Sequence, residues 1–232
     1  MIAVDGIILV ISCQKYLHTR LKNINLKDNY GEWKVIYVIG DLFLDCDYKL
    51  EGNFMTIKCE DSYIHLLKKY VLSLKYLYEI FDIKEGVLRS GDDLIFNEKL
   101  LETFLESPKQ IKINRTEYIE LDYYGKSTNN QSLLSEDILE EELTKIRHDT
   151  TMVNYHILHP EDIDNPLYNL KGIDISKYTL RPDINISIGV LCYLSNKSCK
   201  ILINHMNNIN YNVFHYDEYT CSYPYTTEDI GV

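Results

Sequence analysis

Gly6-Ile-Ile-Leu-Val-Ile-Ser12 is an unbroken apolar run closed by a polar residue. It shows no alternation of apolar and polar positions, so both faces of the strand it forms must be covered. Trp33-Lys-Val-Ile-Tyr-Val-Ile-Gly40 repeats the pattern and stops at Gly40-Asp41. Asn53 to Lys58 reads as a third, shorter strand and Gly86-Val-Leu-Arg-Ser90 as a fourth. Between these two, Ile64, Leu67, Val71, Leu74, Leu77 and Phe81 recur at helical spacing behind an Asp61 or Ser62 cap. Arg20 to Leu26 predicts a short helix, and so does Asn97 to Leu105, which Ser107-Pro108 closes. Buried strands joined by helices predict an α/β domain on a mainly parallel, doubly wound sheet. Such sheets bind ligands beyond the carboxyl ends of their strands. Ser12, Gly40-Asp41 and Gly91-Asp92-Asp93 all fall at those ends.

The rest of the chain is less regular. Ile111 to Asn114 and Tyr118 to Leu121 read as strands, and Ser135 to Arg147 as an acidic amphipathic helix. Residues 156–183 hold three of the five prolines and read as a long ordered loop. Asn185 to Leu194 is a strand, and Ser195 caps a helix running to about Met206. Tyr211 to Tyr216 predicts a further strand, and Thr226 or Thr227 caps a final helix. There is no repeat and no linker, so the chain reads as one domain, residues 1–232.

Composition narrows the function classes. The 232 residues carry 24 Lys and Arg against 35 Asp and Glu, a net charge of −11. That balance argues against a nucleic-acid protein held on phosphates by Lys and Arg. No apolar run approaches the roughly 20 residues of a membrane span. Ile7 to Ile11 lacks the basic leader and cleavage site of a signal peptide. Six cysteines form no Cys-x-x-Cys pair and have no histidine at ligand spacing, so a zinc module is not expected. Reduced thiols in a cytoplasmic setting are the expectation. One alanine among many Ile, Asn, Lys and Tyr marks an AT-rich coding bias, and the 20 tyrosines read mainly as core filling.

Two acidic pairs could carry chemistry. Asp92-Asp93 follows a buried strand, and hard carboxylate oxygens suit Mg²⁺ or Mn²⁺, which in turn bind phosphate oxygens. Alone, this reads rather as a solvated turn with a helix cap. Glu228-Asp229 stands at the final cap, where the helix dipole keeps a carboxylate ionised and fit to act as a base. Alone, it is an acidic first turn.

Order and spacing join these motifs. Ser12, Arg20, Val38-Ile39-Gly40, Asp61-Ser62-Tyr63 with Leu66 and Lys69, Gly91-Asp92-Asp93 with Asn97, Gly189 to Ser195, and Glu228-Asp229-Ile230-Gly231 follow one another. From about Ile7 to Val232 the series resembles glycosyltransferase family 31, the β-1,3-galactosyltransferase and Fringe type. That family has a strand ending Val-Leu-Gly, an Asp-Ser-Tyr-x-Asn-Leu-Thr-x-Lys helix and an Asp-Asp-Asp-Val-Phe-Val-Asn metal motif. A Gly-Gly-Gly-Tyr-Val-Leu-Ser segment and a Glu-Asp-Val-x-Val-Gly motif follow.

The resemblance implies a GT-A fold, with residues 1–107 as the nucleotide-sugar half and 108–232 as the acceptor half. It implies a UDP-sugar or other nucleotide-sugar donor, Mn²⁺ or Mg²⁺, a glycan or glycoprotein acceptor, and inversion at the anomeric carbon. Asp93 falls on the metal-ligating Asp, and Asp229, with Glu228 beside it, on the proposed catalytic base. Ser12, Arg20, Asp61, Lys69 and Asp92 fall on the donor side. The sequence departs from the family in three places. Gly91 replaces the first Asp of the metal motif, His65 stands where the family has Asn, and Val190 and Leu191 replace two glycines. The family's late metal-ligating His lies beyond Val232, which predicts that the chain is the N-terminal domain of a longer protein. Animal members carry a membrane anchor and this chain shows none, so a cytoplasmic enzyme, encoded by a large DNA virus or a microbe, is the expectation. A decayed transferase that only binds carbohydrate is the alternative. A sugar nucleotidyltransferase would want a glycine-rich basic loop near the N-terminus, and Ser12-Cys-Gln-Lys-Tyr16 has no glycine.

Overall fold

The computed structural model describes residues 1–61, 66–128, 154, 157–162 and 186–208. Strand β1 (Ile2–Ile11) leads into a short helix α1 (Arg20–Asn23), then β2 (Asn29–Tyr30), β3 (Trp33–Gly40), β4 (Tyr48–Glu51) and β5 (Phe54–Ile57). Helix α2 (Leu66–Ile80) and β6 (Phe81–Gly91) follow, then α3 (Glu98–Glu106), β7 (Gln110–Lys112), β8 (Tyr118–Glu120) and β9 (Tyr123–Thr128). The described part ends on β10 (Ile186–Ser195) and α4 (Asn196–His205).

The main sheet has the order β4-β5-β3-β1-β6-β10-β9, with β2 paired to β3. Its centre is parallel: β1 pairs with β3 and with β6, and β3 with β5. Both flanks are antiparallel, through β4 on one side and β10 and β9 on the other. The described part is therefore α/β on a mixed sheet with a parallel core, which is compatible with a Rossmann-like fold. Strands β7 and β8 make a separate hairpin.

Alternate residues of the central strands feed two cores, which explains their unbroken apolar sequence. Ile7, Leu9, Ile36 and Val38 pack with Val71, Leu74 and Leu77 of α2 and with Cys199 and Leu202 of α4. Ile8, Val10, Val35 and Leu88 pack on the other face with Leu21 of α1 and Leu101 and Leu105 of α3. Each such side chain removed from water contributes roughly 1.5–3 kcal/mol. Tyr70 and Tyr193 are fully buried, which fits the core-filling reading of the tyrosines.

Several expectations need correction. Phe81 does not close α2. It opens β6, which begins five residues before Gly86, and Phe81 and Ile83 face the core while Asp82 and Lys84 face water. That alternation, with period two, competes with the helical spacing that ends on Phe81. The helix at Arg20 stops at Asn23 rather than Leu26. Strands β4 and β9 were not expected. The first is half of a hairpin whose two-residue turn is Gly52-Asn53, with Gly52 at φ +60°. Ser195 does cap α4, accepting a hydrogen bond from the Ser198 amide. The Ser62 cap, the helix at 135–147, most of the loop at 156–183, the strand at 211–216 and the final helix lie outside the described residues. Among the described residues, no helix is long and apolar enough to cross a membrane.

Candidate functional site

Strand β1 lies where the chain reverses direction across the sheet: β3 and β5 lie on one side of it and β6 on the other. The carboxyl ends of β1 and β6 therefore flank the topological switch point, where open α/β sheets leave a crevice. Ser12 continues β1, donating its amide to Val38 O at 2.9 Å. Its buried hydroxyl donates to Asp92 Oδ2 at 2.6 Å, so the ends of β1 and β6 are tied directly. The turn after β1 brings Arg20 back over the same point, and Arg20 Nη1 donates to Asp92 Oδ1 at 3.1 Å. The Arg20 guanidinium lies 3.8 Å from the centre of the Tyr16 ring. Its pKa is raised, first by the hydrogen bond to Asp92.

A second carboxylate ties β1 to β3. Asp61 Oδ1 accepts the Gly40 amide at 3.0 Å, and Asp61 Oδ2 accepts the Gln14 amide at 2.5 Å. Lys69 of α2 forms an ion pair with Asp61 and also donates to Ser12 O at 2.9 Å. Gln14 Nε2 returns to Gly40 O at 3.0 Å. Gly40 must be glycine here, because a Cβ would stand 2.8 Å from Cys59 O and 3.2 Å from Asp61 Oδ1. Glu60 and Lys68 form an adjacent ion pair, and both are buried. Burial and then the Asp61 charge push the Cys13 thiol pKa up, so the cysteine beside the network is not an activated nucleophile.

The structure thus brings together Ser12, Arg20, Asp61, Lys69 and Asp92, five of the residues expected at a donor site. Gln14 and Tyr16 also belong to the network and were not expected. The signals for them are weak: a polar residue just past a strand end, and an aromatic four residues before Arg20. Asp93 is adjacent and exposed. Asp229 and Glu228 lie outside the described residues.

An ion at this turn would find Asp93 as its exposed carboxylate. Both Asp92 oxygens are already engaged, by Ser12 and Arg20, and Gly91 offers no side chain. Asp93 Oδ1 lies 3.0 Å from where a Cβ on Gly91 would stand, so it leans over the space that residue leaves. Among the described residues, no three His, Cys, Asp or Glu groups converge as a metal cage. A single carboxylate suits an ion that takes its other ligands from water and substrate phosphates.

Grooves lined by described residues lie at both ends of β6. One, of about 730 Å³, opens beside the Asp92-Asp93 turn and is lined by Leu94, Phe96, Phe104, Tyr124 and Leu191. The other, of about 860 Å³, lies toward the opposite end of β6 and is lined by Lys84, Glu85, Lys109, Asp122, Ser195 and Lys197. In the second, Asp122, Ser195, Lys197 and Lys109 are engaged at helix ends. Asp122 accepts Ser195 Oγ at 3.1 Å and Lys197 Nζ at 2.8 Å at the start of α4. Lys109 donates to Leu105 O and Ser107 O at the end of α3. The switch-point network is therefore the candidate site.

No protein-family model matches this chain, and no curated protein matches it.

Proposed function

We propose that this chain is a metal-dependent, inverting glycosyltransferase of GT-A architecture that uses a nucleotide-sugar, with UDP the favoured base. The observation that supports this best is the gathering of Ser12, Arg20, Lys69 and three carboxylates at the switch point of a parallel-centred sheet. Ser12 and Arg20 would hold the diphosphate. Asp61 and Lys69 would fix the loops after β1 and β3 that frame it. Asp93 would hold a divalent ion, which supplies neutralisation of charge on the leaving diphosphate. Asp229, with Glu228 beside it, would take the proton of an acceptor hydroxyl as that oxygen attacks the anomeric carbon. The acceptor class is a glycan or glycoprotein, and the setting is cytoplasmic.

A thermal-shift screen of UDP-, GDP- and dTDP-sugars with Mn²⁺ tests the reading. One base should raise the melting temperature well above the others, and sugar transfer or slow hydrolysis should accompany it. No shift for any donor sinks the proposal. Gly91 at the first acidic position favours one rival, a protein that retains carbohydrate binding without transfer. That rival predicts no hydrolysis of any donor and no loss of function in Asp229→Asn.

A further inference from the structure

We propose that Asp92 is a positioning residue that aims Arg20 at a nucleoside diphosphate, and that it is not a ligand of the metal. The inference rests on the nucleotide-sugar reading above. Asp92 is only 8% exposed, and its two oxygens are divided between Ser12 Oγ and Arg20 Nη1. Each oxygen keeps a second lone pair, but both are turned toward those partners, and a carboxylate this buried leaves little room for a hydrated ion beside them.

Arg20 is arranged differently. Its side chain is 42% exposed, and its bond to Asp92 is the one hydrogen bond it makes among the described residues. A guanidinium has five N–H donors, so most of them remain for a ligand. The Tyr16 ring beneath the guanidinium and Asp92 at one edge hold it at two points. A guanidinium already held loses little freedom on binding, and its fork suits phosphate oxygens.

The two carboxylates therefore do separate work. Asp92 acts through Arg20, and its effect needs no ion. Asp93 alone carries the dependence on the ion. With Asp61, Asp92 and Asp93 set against Lys69 and Arg20, the cluster bears one net negative charge, so a diphosphate is disfavoured until a divalent ion joins it.

Calorimetric titration of UDP, GDP and dTDP into the full chain, once with Mn²⁺ and once with EDTA, separates the two roles. Arg20→Ala and Asp92→Asn should each weaken binding roughly ten- to a hundredfold, by the same factor with and without Mn²⁺. The double variant should be no weaker than Arg20→Ala alone. Asp93→Asn should weaken binding with Mn²⁺ and, because it removes one negative charge, leave binding in EDTA no weaker than that of the unaltered chain. Arg20→Ala and Arg20→Lys, at an exposed position, keep the test open if Asp92→Asn does not fold. Loss of the Mn²⁺ effect in Asp92→Asn, additive losses in the double variant, or unchanged binding in Arg20→Ala each overturn the inference alone. Failure of the unaltered chain to bind any of the three nucleotides removes the functional reading and the inference with it.

Discussion

The two ends of β6 hold the same kinds of ion pair in different surroundings. At the carboxyl end, Arg20 meets a buried Asp92 at 3.1 Å, and Lys69, only 3% exposed, meets Asp61. At the amino end, Lys84 meets Asp5 at 3.1 Å and Lys197 meets Asp122 at 2.8 Å, all four in contact with water. Distance does not separate them; the burial of one partner in each carboxyl-end pair, Asp92 or Lys69, does. Exposed pairs are screened and contribute little. Buried charges need nearly all their partners, because each one lost leaves a group that water cannot reach. Charges removed from water without packing value are weak evidence for stability. At a strand-end crevice they fit the proposed nucleotide-sugar site, where a ligand would need them fixed.

Removing single partners tests that difference. The largest effect is expected for Asp61→Ala, which leaves the buried Lys69 ammonium with Ser12 O and takes an acceptor from the amides of Gly40 and Gln14. Unfolding in urea should show a loss of about 3–5 kcal/mol. A loss below about 1 kcal/mol would place the carboxyl-end pairs in the same class as the amino-end ones. Gly40→Ala comes next, at about 1–3 kcal/mol, because the new methyl group meets the backbone at Cys59 O. Ser12→Ala should follow, at about 1–3 kcal/mol, since Asp92 loses one of its two bonds while Arg20 keeps the other. Equal effects of Ser12→Ala and Lys84→Ala would break the contrast.

Much of the candidate site was legible in the sequence, for a physical reason. Strand ends are marked by the change from apolar run to polar residue, so Ser12, Gly40 and Asp92 announced their positions. The parallel centre followed from strands with no polar face. What the sequence concealed lies where local signals compete or are short. Phe81 fits both the spacing of α2 and the alternation of β6, and the sheet pairing of Ile2 with Phe81 decides the matter. Strand β4 is four residues long, half-exposed and acidic at its end, so only its Gly52-Asn53 turn betrays it. The link between Tyr16, Arg20 and Asp92 joins positions 72 residues apart, and no period in the sequence reports such a contact. The resemblance proposed Asp92 as a donor-side residue. The hydrogen bonds show it turned toward Ser12 and Arg20.

The smallest expected effect is at the amino end, and its pH dependence makes it informative. The Lys197 hydrogen bond, helped by Ser195 and opposed by burial, holds the Asp122 pKa below the ordinary carboxylate value. A depressed folded pKa means that the unfolded chain takes up the proton first as pH falls. The stabilisation is therefore complete at neutral pH, begins to fade near the ordinary value of about 4, and is gone below the lowered one. Lys197 is 70% exposed, so Lys197→Ala should cost no more than about 1 kcal/mol at pH 7. Urea titrations of the two proteins should differ at pH 7 and 6, and the gap should close as the pH is lowered through 4. Salt at high concentration should close it at pH 7 as well, since water already reaches the pair. A gap that persisted in acid would mean that Lys197 acts by packing on the start of α4 rather than through the charge of Asp122.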